Sequence, residues 1–424
     1  MSGESGTRVA LVNLGCRVNR AEIDAFAIGF ESVGCTIVDD ASLADLIVVN
    51  TCAVTGEAQT KTRKAVRRMA RMPQSPAVIA TGCAATLFSE ELEAACPAVC
   101  VVPDKGDVVR RGTSLLGLDA SRSSGDSCSA LAPTPTGRTR PSVKIQDGCD
   151  NRCTYCIVWK ARGASRSVPA ARIVEEVRRC LARGAHEVVL TGINLGCWTA
   201  PDVDALAKGA RLPDLLELLM RETDVERLRI SSIEPPDVTD DLLDVMAGSA
   251  GRVAPFLHVC LQSGCDETLS RMGRTYDTER FRRVVRKARG RMPGIAVGTD
   301  VIAGFPGESD EEFEASYAFC EEMAFARMHV FRYSPRPGTP AAVAPAQVAP
   351  PTSSVRARRL RVLSQRMRAE AAASHDGERD IVLVQSEGRA VSSHLFDVTV
   401  DASLEVGSMA EVRLSAVKGS LLGL

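Results

Sequence analysis

Gly148-Cys149-Asp150-Asn151-Arg152-Cys153-Thr154-Tyr155-Cys156 is the stretch whose reading decides the fold. Its cysteines are spaced C-x3-C-x2-C, with no fourth cysteine close behind. Iron–sulfur clusters are normally closed by four thiolates. Three thiolates within eight residues suit a [4Fe–4S] cluster with three irons held and one open to a small molecule. Structural zinc is the other reading, but zinc sites are typically closed by four ligands, many at C-x2–4-C spacing.

Working outward, residues 142–335 alternate short apolar runs with helical periodicity. The expected strands are Val143–Gln146, Glu187–Thr191, Leu228–Ser232, Leu257–Leu261, Ala296–Ile302 and Met328–Tyr333. Six such β/α units predict a partial (β/α)6 barrel whose site lies at the C-terminal ends of its strands. Upstream, Val9–Leu14, Leu46–Asn50 and Ala77–Ala80 read as buried strands. Arg20–Ser32, Thr55–Arg71 and Leu87–Ala95 read as helices between them, which predicts an open, mostly parallel α/β sheet. Residues 118–141 are rich in Ser, Pro, Gly and Thr and read as a linker. A basic helix over Ser353–Ala372 precedes IVLVQ, FDVTVDA and AEVRLSAV, short runs of period two that suggest a small antiparallel β barrel. The expected divisions are 1–117 (α/β domain), 118–141 (linker), 142–352 (partial barrel), 353–377 (connecting helix) and 378–424 (β barrel).

In the N-terminal domain Cys16, Cys52 and Cys83 each follow an apolar run, 36 and 31 positions apart. In a parallel sheet those positions fall along the carboxyl edge, where such folds bind ligands. Three matching strand ends point to a second metal centre. The alternative is three buried structural cysteines. His258 and His329, on apolar strands, read as core histidines.

The chain has 424 residues, 45% hydrophobic and 25% charged, with 15 cysteines and a formal net charge of −1. That profile excludes a disordered or uniformly basic protein. No apolar run approaches the roughly 20 residues of a membrane span, and the first residues do not read as a secretory signal. A cytoplasmic, reducing location is expected, where many cysteines imply metal sites and buried thiols. The basic runs are local: residues 60–71 hold six Lys or Arg on one expected helix, and residues 271–291 and 356–368 are similarly dense. Each alone reads as a solvated face; several beside a site read as a phosphate track.

Taken together, Leu14-Gly15-Cys16-Arg17-Val18-Asn19, Asn50-Thr51-Cys52-Ala53-Val54-Thr55, Thr81-Gly82-Cys83, the triplet, Ser231-Ser232-Ile233-Glu234-Pro235, Leu261-Gln262-Ser263-Gly264, residues 300–308 and residues 329–339 resemble the radical-SAM methylthiotransferase family over nearly the full length. Residues 15–19 and 329–339 look most like the branch acting on N6-threonylcarbamoyladenosine in tRNA. Val158-Trp159 after the triplet, and an aromatic-poor TRAM-like C-terminal barrel, depart from the family pattern.

The resemblance implies two [4Fe–4S] clusters, one on Cys149, Cys153 and Cys156 and an auxiliary one on Cys16, Cys52 and Cys83. S-adenosylmethionine would bind the first and yield a 5′-deoxyadenosyl radical, and the auxiliary cluster would carry the sulfur. The C2 hydrogen of adenine is neither acidic nor polarised, so general acid–base catalysis gains little and the cofactor must supply the reactivity. Implied cofactor contacts are Tyr155, Thr191, Glu234, Gln262 and Asp300; the same residues read equally as polar strand ends capping loops. RNA contact is expected from Arg67, Lys160, Arg162, Arg166 and Arg356. The implied partners are a tRNA anticodon loop, with its modified adenosine at position 37, and a flavodoxin- or ferredoxin-like electron donor. An isopentenyladenosine or ribosomal-protein methylthiotransferase, and a zinc-bearing tRNA-binding module, are the alternatives.

Overall fold

The computed structural model describes residues 6–118, 137–201, 205–417 and 420–424. The expected linker falls largely on residues 119–136, outside the described residues, as does Cys128. The chain forms two compact units. One comprises Met1–Arg138, Gly148–Asp150 and Cys156–Ala164; the other comprises Thr139–Asp147, Asn151–Tyr155 and Ser165–Leu424.

The first unit runs β1 (Arg8–Asn13), α1 (Arg17–Ser32), β2 (Thr36–Val38), β3 (Leu46–Thr51), α2 (Gly56–Ala70), β4 (Ala77–Gly82), α3 (Cys83–Leu87), α4 (Ser89–Ala95), β5 (Cys100–Val101) and α5 (Val108–Leu115). The five strands are all parallel, in the order β2-β1-β3-β4-β5. Every residue of β3 (LIVVNT) is buried, as a central strand covered on both faces requires. Val9, Phe26, Phe30, Val48 and Ile79 fill one face, and Ala10, Ile47, Val49, Val66 and Met69 the other. The α2 helix starts where Thr55 accepts from Ala58 N, and it carries Glu57 early and Arg67 and Arg68 late, complementing the helix dipole. The expected helix over 87–95 begins at Ser89 as α4, because Phe88 leaves helical geometry and separates it from the short α3. The two- and three-residue strands β5 and β2 are too short to show a period.

The second unit begins with β6 (Ser142–Lys144) and β7 (Gln146–Asp147); α6 (Val158–Arg162) belongs to the first unit. It continues with β8 (Arg166–Ser167), α7 (Ala170–Ala182), β9 (Glu187–Thr191), α8 (Leu212–Glu222), β10 (Arg227–Ile230), β11 (Ser232–Ile233), α9 (Asp240–Gly248) and β12 (Phe256–Val259). Then come α10 (Asp266–Arg271), α11 (Thr278–Arg291), β13 (Ala296–Ala303), α12 (Asp310–Met323), β14 (Arg327–Arg332) and the long α13 (Pro350–Ala373). The parallel strands lie in two sheets, β10-β9-β6 and β11-β12-β13-β14. The expected single strand over 228–232 changes sheet at Ser231, whose N–H still donates to Leu190 O at 3.1 Å. A large apolar core from Val143 to Met367 lies between strands and helices.

The C-terminal segment forms a closed barrel, β15 (Arg379–Ser386), β16 (Arg389–Val391), β17 (Asp397–Thr399), β18 (Met409–Val417) and β19 (Ser420–Gly423). Its pairings are antiparallel except β17 with β19, which is parallel. The barrel is fastened to β10 by charge. Glu187, fully buried, receives Arg229 through Nε (2.8 Å) and Nη2 (3.2 Å) and Arg227 Nε at 3.3 Å. Arg229 also donates to Ser392 O and Ser393 O, and Arg227 to Ile381 O. Burial opposes the Glu187 charge, but the arginines prevail and hold its carboxyl below the usual range. Removing one member of such a network strands buried charge, so Glu187→Ala should lower stability by about 3–5 kcal/mol in urea unfolding.

Candidate metal centres and cofactor site

In the first unit the strand order puts the topological switch point between β1 and β3, on either side of which connections run to opposite faces. Cys16 follows β1, Cys52 follows β3 and Cys83 follows β4, all at carboxyl ends. A polar network underlies them. Asn19 Nδ2 donates to Asn50 Oδ1 (2.7 Å) and Thr51 O (3.0 Å), and Asn50 Nδ2 returns to Asn19 O and Glu22 Oε2. Cys16 Sγ lies 3.2 Å from Asn19 Oδ1. Gly82 has φ +91°, and a Cβ there would stand 2.2 Å from Asn50 Oδ1. The Gly-Cys and Asn-Thr-Cys pairs in the sequence are thus one interlocked floor.

Cys52 and Cys83 are buried and Cys16 is exposed. Burial pushes the Cys52 and Cys83 thiols up, and the neighbouring cysteine sulfurs push the same way. Arg162 and Lys105 pull Cys83 back toward the thiolate. Arg162 comes from α6, donating to Glu22 Oε1 (2.8 Å) and Asn19 Oδ1 (3.0 Å). The three thiols share one field but are not packed as a single ion's ligands are; the one such His/Cys/Asp/Glu set among the described residues is elsewhere. Three sulfurs at strand ends of one sheet, Cys83 with Arg162 and Lys105 beside it, are the donor set this unit offers to a metal centre.

The triplet lies on the loop from Gly148 to Ile157. Gly148 has φ +73°, and a Cβ there would meet Ala164 O at 1.9 Å, so only glycine makes this turn. Cys149 N donates to Gly163 O, and Val158 N lies 3.4 Å from Cys156 Sγ. In the second unit Thr154 ties the loop down: its N–H donates to Met272 O (2.9 Å), its hydroxyl to Arg271 O (2.8 Å), and its carbonyl accepts from Ala341 N. Cys153 is buried and receives Arg274 Nη1 at 3.0 Å.

Of the residues expected at the cofactor, Tyr155 and Glu234 are brought together. Glu234 accepts from Asn151 Nδ2 (3.2 Å) and lies 2.7 Å from Arg274 Nη2, while the Tyr155 hydroxyl is 3.5 Å from Arg274 Nη1. Gln262 and Asp300 are joined through backbone, Gln262 N to Asp300 O at 2.8 Å, with Gln262 at φ +68°. Thr191 is carried by the other sheet, buried at the end of β9. Asp300 is engaged by His258 Nε2 (3.1 Å) and His329 Nδ1 (3.3 Å). Burial opposes its charge, yet the two imidazoles hold its carboxyl well below the usual range. The three ligand atoms lie within 4.8 Å of one another. However, Arg327 Nε donates to His329 Nε2 at 3.0 Å, which leaves the His329 N–H on Nδ1, facing Asp300. The set is therefore a hydrogen-bonded chain. His258 is buried as expected, whereas His329 is 46% exposed and not a core histidine.

Two expected RNA contacts are corrected. Arg162 is 1% exposed at its side chain and engaged by Glu22 and Asn19. Arg356, 6% exposed, pairs with Glu308 Oε1 and Asp310 Oδ1, both at 2.6 Å. Neither guanidinium faces solvent, because each compensates a carboxylate inside the fold. Arg67, Lys160 and Arg166 are exposed. Sequence reading missed Arg274, Tyr276, Glu22 and Gln146. Gln146 is fully buried and accepts from Ile193 N and Asn194 N, shaping the turn after β9. Gln146, Arg274 and Tyr276 leave only polarity at a strand end or in a loop, which has no period, and Glu22 is a single acidic residue on the buried side of α1.

Gly82→Ala should destabilise the protein by about 1–3 kcal/mol from backbone strain alone, read by thermal unfolding. The clash with Asn50 adds to that cost.

A sequence model of the Radical SAM superfamily matches residues 143–320, and one described as Uncharacterized protein family UPF0004 matches residues 8–103. A threonylcarbamoyladenosine tRNA methylthiotransferase of Bacillus subtilis is 37% identical over 383 residues, 87% of this chain and 83% of that one. Its namesake in Thermotoga maritima is 36% identical, covering 78% and 76%. A tRNA-2-methylthio-N(6)-dimethylallyladenosine synthase of Erythrobacter litoralis is 31% identical, covering 97% and 95%. Among solved structures, the radical S-adenosylmethionine methyltransferase TsrM of Kitasatospora setae aligns with a TM-score of 0.56 at 18% identity, over 80% of this chain and 77% of that one. That likeness concerns the fold alone. With identity of this degree across most of both sequences, the chain belongs to the radical-SAM methylthiotransferase family.

Proposed function

We propose that this enzyme adds a methylthio group to C2 of N6-threonylcarbamoyladenosine at position 37 of tRNA. The observation that carries the reading is the set of Cys16, Cys52 and Cys83 at three carboxyl strand ends flanking a switch point, in a chain that also bears the C-x3-C-x2-C loop. The substrate branch is supported by the relatives at 37% and 36% identity, both named for threonylcarbamoyladenosine, against 31% for the dimethylallyladenosine relative.

Cys149, Cys153 and Cys156 would hold the first cluster, and Cys16, Cys52 and Cys83 a second, auxiliary one. With S-adenosylmethionine bound, these groups supply radical chemistry and the sulfur. The chain's own residues bind and orient. Glu234 accepts from ribose hydroxyls of the cofactor, held in position by Asn151 and Arg274. Gln262 holds the methionine end, its backbone fixed between Asp300 O and Ile302 N. Tyr155 packs edge-on against Phe305, closing one wall against water. Exposed Arg67, Lys160 and Arg166 meet phosphates, where salt-sensitive contact is the rule. An anticodon loop can present its base unstacked, as this chemistry requires. A small flavodoxin- or ferredoxin-like protein in the cytoplasm would deliver the electron.

Nucleoside mass spectrometry of tRNA from a strain lacking the gene tests the substrate. Loss of the methylthio group from threonylcarbamoyladenosine alone is expected; loss from isopentenyladenosine instead would move the enzyme to the sister branch. The auxiliary centre is tested by iron content. Anaerobic reconstitution should give about eight irons per chain, and about four after Cys16, Cys52 and Cys83 are all changed to Ala.

A further inference from the structure

Arg274 is a loop residue just after α10, and its side chain is 3% exposed. A guanidinium cannot shed its charge inside a protein, so burying one is costly unless every face finds a partner. Here the partners belong to two different groups. Nη1 donates to Cys153 Sγ at 3.0 Å. Nη2 lies 2.7 Å from Glu234 Oε1 as an ion pair, off the line of a hydrogen bond. Nε donates to the Tyr276 hydroxyl (3.0 Å), which in turn donates to Cys260 O (2.6 Å) and lies 3.0 Å from Leu261 O. The ring of Tyr276 lies 4.8 Å from the guanidinium carbon. One rigid cation therefore touches a sulfur of the cysteine triplet and a carboxylate proposed to bind the cofactor.

We propose that Arg274 is a positioning residue that sets the reduction potential of the three-cysteine cluster and couples it electrostatically to Glu234. The inference rests on the reading of Cys149, Cys153 and Cys156 as cluster ligands. Hydrogen bonds to ligand sulfurs and nearby charge are among the main determinants of cluster potential. Reduction adds negative charge, so a fixed cation against Cys153 favours the reduced form. Glu234 opposes it by taking part of that cation's field. The two residues thus push the potential in opposite directions through one guanidinium.

The test uses the full-length chain with Cys16, Cys52 and Cys83 changed to Ala, reconstituted anaerobically, so that a single cluster is titrated. Midpoint potential is followed by electron paramagnetic resonance, and iron is counted beside it. Arg274→Gln should move the midpoint to more negative values, Arg274→Lys by less, and Glu234→Gln to more positive values. A merely structural role would not give shifts of opposite sign at full iron content. An unchanged midpoint in iron-replete Arg274→Gln overturns the proposal. Should that variant not load iron, Glu234→Gln decides: a positive shift supports the inference, and no shift or a negative one overturns it. A parent protein with no reducible cluster would remove the reading of the triplet, and the proposal with it.

Discussion

In each unit a buried cysteine sulfur has an enclosed guanidinium beside it, and that guanidinium is in turn bound by a carboxylate of the same unit. In the first unit the cation is Arg162, held by Glu22 and Asn19, with Lys105 adding to its effect on Cys83. In the second it is Arg274, against Cys153. Neither arginine stands alone: each is held by a carboxylate that keeps it from solvent and aims its fork. A lysine would supply the charge but not the two-sided geometry, since only the guanidinium presents its donors in a rigid plane.

The same economy explains which residues around Cys16, Cys52 and Cys83 are permitted. Asn50 and Asn19 satisfy one another's amides while bracing Thr51 and Glu22, so there is no room for a side chain at Gly82. The floor beneath these cysteines is set by hydrogen bonds between strand ends, and the apolar cores on the two faces of the sheet hold those strands in register.

Much of this was legible in the sequence because it is periodic or punctual. Buried strands such as Leu46–Thr51, long helices such as Pro350–Ala373, and cysteines placed directly after apolar runs all leave a local mark. What escaped reading depends on distance along the chain. Arg162 meets Glu22 across 140 positions, and Arg274 meets Cys153 across 121. A run of basic residues cannot say which of its members turns inward, and the fold turns Arg162 and Arg356 toward buried carboxylates. The same limit hid Arg227 and Arg229, whose alternation with Leu228 and Ile230 conceals two charges fully enclosed beside Glu187.

The triplet loop is anchored by its own backbone at Thr154, through bonds to Met272, Arg271 and Ala341, and turned by a glycine that nothing else could replace. These fastenings involve no sulfur. The path of this loop is consequently held by main-chain and hydroxyl hydrogen bonds, which replacing any of the three cysteines by serine would leave in place.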